Sequence, residues 1–171
     1  MKTFKEYIKS LDACEPAIDL AGDKPIEQIV AECHRGDWLL WLAKKCGVEL
    51  QPLTLAKGHC ANTVRHLMTD ERSLKAVDVA IAFGEGKATR EELDDAADAA
   101  TAAAAYAYAA DAAYAAYAAA AYAAHAADAA HAAYAAAAYA AHAANQQETA
   151  DICRKYIGEL IIQKVNQILN P

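Results

Sequence analysis

The sequence predicts an all-α protein, a single-domain helical bundle with closely packed alanine-rich helices. Three observations predict it. Between Ala96 and Ala144, 35 of 49 residues are alanine, the strongest helix former. Outside that tract, apolar residues recur at spacings of three and four, the period of a helix face. No run of alternating β-branched residues would make a strand. The 171 residues amount to about one domain, long enough to bury a core without disulfides or a metal.

The elements follow in order. N-terminal helices are expected over residues 1–86. Phe4, Tyr7, Ile8 and Leu11 mark a helix over 3–13. Pro16, Gly22 and Pro25 then punctuate an irregular stretch. Pro25 suits the first turn of a helix carrying Ile26, Ile29 and Val30, ending near His34-Arg35-Gly36. Asp37 is placed as the N-cap of a mostly buried helix from Trp38 to Cys46, with Gly47 just past its end. A helix over 52–68 follows, weakened by Gly58. Asp70 caps the next, over 71–83, whose apolar face is Leu74, Val77 and Ile81. Gly84 and Gly86 break the chain, and Thr89 with Glu92 forms a capping box. That box opens the alanine-rich helices of 89–145. A C-terminal amphipathic helix over 146–169 presents Ile152, Tyr156, Ile157, Leu160, Ile161 and Val165, with Gly158 threatening its continuity.

The alanine tract is the most unusual feature. A single straight helix from Glu91 to Asn145 would run about 80 Å. A compact chain of this length is roughly 40 Å across, so the tract is expected to fold back as two or three packed helices. Its larger residues include Tyr108, Asp111, Tyr114, Tyr117, Tyr122, His125, Asp128, His131, Tyr134, Tyr139 and His142. The pattern from Tyr117 to His125 recurs from Tyr134 to His142, a shift of 17. Alanine lets helix backbones approach closely. Buried tyrosine hydroxyls want partners, and Asp or His three residues away can supply them. The plain reading is a tight core pinned by such hydrogen bonds. Ice binding would want regularly spaced threonine, and within the tract only Thr101 occurs. A metal site from His125, Asp128 and His131 has poorer spacing than the i, i+4 pair of helical zinc sites. A ligand pocket between helices, lined by Tyr114, Tyr117, Tyr122, His125, Asp128, His131 and Tyr134, is the sharper alternative.

Composition excludes several functions. The net charge of −7 leaves few clustered cations for phosphate contacts, so nucleic acid is not an expected partner. It favours a partner with a basic surface. Five cysteines without a CxxC pair fit a reducing compartment, and MKTFKEYIKSLDACEP has no apolar leader core, so a cytoplasmic location is expected. No run of about 18 strongly apolar residues suggests a membrane span. No cofactor motif or catalytic constellation appears. His59 and Cys60 are adjacent and diverge on a helix, which disfavours a nucleophile–base pair.

Other binding candidates are few. Trp38 and Trp41 share a helix face, as core aromatics or as interface anchors. Arg65, Arg72, Arg90, Arg154 and Lys155 would line an anion pocket only if the fold gathered them.

Gly36-Asp37-Trp38-Leu39-Leu40-Trp41-Leu42, the alanine tract, and Ala150-Asp151-Ile152-Cys153-Arg154-Lys155-Tyr156-Ile157 together resemble a family of bacterial immunity proteins, the family numbered five with its five-like relatives. The resemblance spans roughly residues 30–160. It implies an alanine-rich, all-helical protein of a polymorphic-toxin system, whose role is to bind and silence a cognate toxin or effector protein. It implies no catalytic residues. The first functional expectation is therefore a non-enzymatic immunity protein with an acidic binding surface. The alternative is a phage-type sponge that sequesters a nucleotide immune signal, using Tyr and His to stack on a base and Arg65, Arg154 and Lys155 to hold phosphate. A purely structural helix protein is the third. Homo-oligomers through the alanine-rich helices are compatible with each.

Overall fold

The computed structural model describes residues 3–106 and 142–170. Among them all regular structure is helical. Helix α1 (Phe4–Lys9) opens on a capping box between Thr3 and Glu6. It stops short of Ala13 because Asp12 turns left-handed, at φ 60°. The Asp12 N–H donates to the Lys9 carbonyl and the Ala13 N–H to that of Ile8, each at 3.2 Å. This is a Schellman-type ending, and it folds Leu11 and Ala13 back onto the core.

The stretch expected to be irregular contains a helix, α2 (Glu15–Ala21), with Pro16 in its first turn. The missing proline N–H costs nothing there, since first-turn donors have no partner within the helix. Ile18 and Ala21 bury the inner face. Pro25 is the residue preceding α3 (Ile26–Glu32) rather than part of it.

Helix α4 (Gly36–Lys45) starts before Asp37, which therefore does not cap it. Its end matches expectation: Gly47 takes φ 79°, and the Val48 N–H reaches the Ala43 carbonyl at 2.9 Å. Helix α5 (Leu50–Asn62) ends earlier than residue 68. There the Thr63 hydroxyl donates to the Cys60 carbonyl at 2.8 Å, and the chain tightens into a 3-10 turn over Arg65–Leu67.

Helix α6 (Glu71–Gly84) is capped by Asp70, which accepts the Arg72 N–H at 2.8 Å. Helix α7 (Arg90–Tyr106) opens on the expected capping box. The Thr89 N–H donates to Glu92 at 2.7 Å, and the Glu92 N–H to the Thr89 hydroxyl at 3.2 Å. The C-terminal segment comprises α8 (His142–Cys153), a wide π turn over Arg154–Gly158, and α9 (Glu159–Leu169). The expected helix over 146–169 therefore keeps helical backbone throughout, widened by the π turn that ends at Gly158, and a Cβ at Gly158 would meet Val30 at an ordinary contact distance of 3.4 Å.

The apolar side chains form two clusters. The larger gathers α1–α4 around Leu39, Leu40, Ile157, Ile161 and Val165, all buried. The smaller packs Val64, Val77 and Leu93 with Ala76, Ala80, Ala96, Ala97 and Ala100 between α6 and α7. Alanine is a close-packing residue here, as expected of the tract's first turns. Helix α5 contributes Leu53, Ala56 and Cys60 to the first cluster and Ala61 to the second.

Three helix contacts are closed by glycine. A Cβ at Gly84 would lie 2.4 Å from the Leu55 Cβ, one at Gly58 2.8 Å from Ile81, and one at Gly36 2.5 Å from the Thr149 hydroxyl. No helix among the described residues is long and apolar enough to cross a membrane. The expected folding-back of the alanine tract falls on 107–141, outside the described residues.

Candidate functional site

The turn that ends α1 and the burial of α2 against the core leave a concavity between α1, α2 and α4. It is a cavity of about 280 Å³. Phe4, Ile8, Ala13, Ala17, Leu20, Trp38, Trp41 and Leu42 supply most of its apolar wall. Both tryptophans are half-buried. They are neither fully packed core nor free surface, so their faces are shared between the protein and the cavity.

Charge is arranged around those rings. Arg35 holds Asp37 in a fork, Nε to Oδ1 at 2.8 Å and Nη2 to Oδ2 at 2.5 Å. That pairing pushes the Arg35 guanidinium above its ordinary value. The same guanidinium lies 4.8 Å from the Trp38 ring centre, and the Lys45 ammonium 6.0 Å from that of Trp41. These are cation–π distances. Asp12 and Cys14 are exposed at the rim. Cys33, in the wall, is buried, and that burial pushes its thiol up.

The other candidates go elsewhere. Arg65 is held in a fork by Asp78, at 2.6 and 3.0 Å. Arg154 donates to the Cys33 carbonyl at 2.6 Å and to Asp151, closing the end of α3. Arg72 pairs with Asp70 and Arg90 with Asp94, each at 2.9 Å. Each arginine has a carboxylate of its own neighbourhood, and the structure does not gather them into an anion pocket.

His59 and Cys60 take different partners, as their adjacency on a helix requires. His59 stacks on Tyr156 with ring centres 4.5 Å apart and planes 5° from parallel. Cys60 faces the Cys153 thiol at 3.8 Å inside the core. Burial, with Cys60 alongside, drives Cys153 well above the usual thiol range, where thiols are inert.

Tyr114, Tyr117, Tyr122, His125, Asp128, His131 and Tyr134 lie outside the described residues. Among the described residues, no group of three or more His, Cys, Asp or Glu could hold a metal ion.

Helix α7 offers a second surface. Leu93, Ala96, Ala97 and Ala100 face inward, which turns Glu91, Asp94, Asp95 and Asp98 to solvent.

Sequence reasoning found Trp38 and Trp41 but missed Asp12, Cys14 and Ala17, because it took the α2 region as irregular. The signal was present in Ala17-Ile18 and Ala21, an apolar i, i+1, i+4 face after a first-turn proline.

No family model matches the chain, and no curated protein or solved structure matches it either.

Proposed function

We propose that the protein is a non-enzymatic, immunity-type protein that binds and neutralises a cognate toxin or effector in the cytoplasm, with α7 as the face offered to a basic partner. The observation that carries this reading is the division of α7. Its inner side is leucine and alanine, and its outer side is a stripe of Glu91, Asp95 and Asp98 at i, i+4 and i+7. Arg90 neutralises Asp94 and leaves the stripe's own carboxylates to solvent. A field of that sign speeds encounter with a cationic surface and is screened by salt. The resemblance to immunity proteins and the net charge of −7 support the same reading.

The test is capture of a partner from the native host, followed by co-expression with it. Relief of the partner's toxicity, and association slowed about tenfold by Glu91→Gln, Asp95→Asn and Asp98→Asn together, is the expected result. A partner whose toxicity is unrelieved, or association indifferent to salt and to that triple variant, sinks the reading. Self-association through the alanine-rich helices is part of the proposal and is read by sedimentation of the purified chain.

The sponge alternative draws support from the existence of the α1–α2–α4 cavity. It draws none from the cavity's lining, where no lysine or arginine appears. A thermal-shift panel of cyclic nucleotides and ADP-ribose derivatives separates the two, and flat melts would remove the sponge.

A further inference from the structure

We propose that the α1–α2–α4 cavity is a binding site for a small organic cation with an aromatic body, and that Asp12 supplies its counter-charge. The inference stands apart from toxin binding, since no residue of α7 lines the cavity.

Shape comes first. The cavity, about 280 Å³, is walled by Phe4, Leu20, Trp38 and Trp41. Concave, mostly apolar sites of about this size suit aromatic molecules. The tryptophan rings already carry the Arg35 guanidinium and the Lys45 ammonium, so they offer a ligand apolar surface and the selection for charge falls to the carboxylate at the rim.

Charge then selects among aromatic molecules. Apart from two thiols, the titratable groups in the lining are Asp12 and Asp37, and no lysine, arginine or histidine is among them. Asp37 is already neutralised by the Arg35 fork. Asp12 has no ion pair or side-chain hydrogen bond among the described residues. An anion entering the cavity would meet this carboxylate without compensation, whereas a cation would pair with it at the rim.

The backbone at Asp12 points the same way. Among the described residues it is the one non-glycine with a positive φ, at 60°. It occupies the position after α1 where glycine is the ordinary choice, and a side chain there costs backbone strain. The chain therefore holds a carboxylate at the rim of an aromatic cavity in a conformation that glycine would adopt more easily.

The experiment uses the full chain and its own fluorescence. The protein's two tryptophans both line the cavity, so fluorescence excited at wavelengths that tryptophan alone absorbs, past the absorption of the nine tyrosines, reports on it. Phenethylammonium, 2-phenylethanol and phenylacetate share one ring and differ in charge. Saturable fluorescence change with phenethylammonium in the millimolar range or tighter is expected, with the alcohol weaker and phenylacetate at least about tenfold weaker. Asp12→Asn should bring phenethylammonium to the affinity of the alcohol. Asp12→Gly should do the same while raising the melting temperature, so that lost binding is not lost folding. Ala17→Leu should weaken all three ligands by filling the wall. Absence of saturation with any ligand, phenylacetate binding as tightly as the amine, or a cation preference that survives both Asp12 variants would overturn the proposal.

Discussion

His59 lies flat on Tyr156, and its surroundings resist protonation. Burial is the larger cause and the Lys155 ammonium the next, and together they hold the imidazole below its ordinary pKa. A depressed pKa means that the unfolded chain takes up the proton first as pH falls. The stability tied to the neutral ring is complete above the ordinary histidine range. It is lost as pH drops through the lower, folded value. Replacement by His59→Phe keeps a ring on Tyr156 and removes the titration. Urea midpoints measured from about pH 7 to about pH 5 should therefore fall less steeply in the variant than in the wild type. Parallel curves would show that His59 does not contribute to the acid response. The other lowered groups, such as Glu32 beside Lys24 and Asp151 beside Arg154, are exposed carboxylates that act at lower pH.

At the scale of elements, the π turn between α8 and α9 connects distant parts of the chain. It carries Arg154 to the C-terminal end of α3, where the guanidinium donates to the carbonyls of Cys33 at 2.6 Å and Val30 at 3.3 Å. The same turn sets Gly158 against Val30. Hydrogen bonds from a charged donor to part-buried carbonyls contribute about 2 kcal/mol. Arg154→Met should lower the stability by about that amount, read from urea denaturation, and Arg154→Lys should recover less than half, because the guanidinium serves the two carbonyls through Nη1 and Asp151 through Nη2 while a lysine has one nitrogen for all three. An unchanged midpoint in the methionine variant would remove Arg154 from this role.

What the residues disclose in advance divides along the same line. Gly47, Asp70, and Thr89 with Glu92 act within one turn of their own positions, so those boundaries could be read from the sequence. Helix α2 is held by burying Ile18 and Ala21 against other elements, and short helices depend on such packing rather than on propensity. The π turn is fixed by α3, some 120 residues earlier in the chain. The tryptophan pair was legible as a binding candidate, but the opposite wall of its cavity came from α1 and α2, whose turn at Asp12 carries no glycine to announce it.

For the whole molecule, α5 is the shared member. Its Leu53, Ala56 and Cys60 belong to the cluster around α4 and α9, and its Ala61 belongs to the cluster of α6 and α7. Opening either cluster therefore disturbs a helix on which the other also packs. Tryptophan fluorescence reports the first, through Trp38 and Trp41, and amide exchange at Val77 and Leu93 reports the second. The two probes should give the same unfolding free energy to within about 0.5 kcal/mol. Exchange at Val77 and Leu93 well below the fluorescence value would mean that α6 and α7 unfold by themselves.

The glycine contacts of α5 and α6 bear on how the molecule can move. Gly58 faces Ile81, and three positions earlier Leu55 faces Gly84, three positions later. The two helices run in opposite directions and are keyed at two points, each fitting only where a side chain is missing. Sliding one past the other by a single turn would drive a β-carbon into backbone at both points. Shear between neighbouring helices is a common way for helical proteins to change shape on binding, and that route is closed to this pair. A partner at α7 would therefore meet a ratchet locked in one notch, and a response to it would have to travel as rotation of the α5–α6–α7 block rather than as slippage within it.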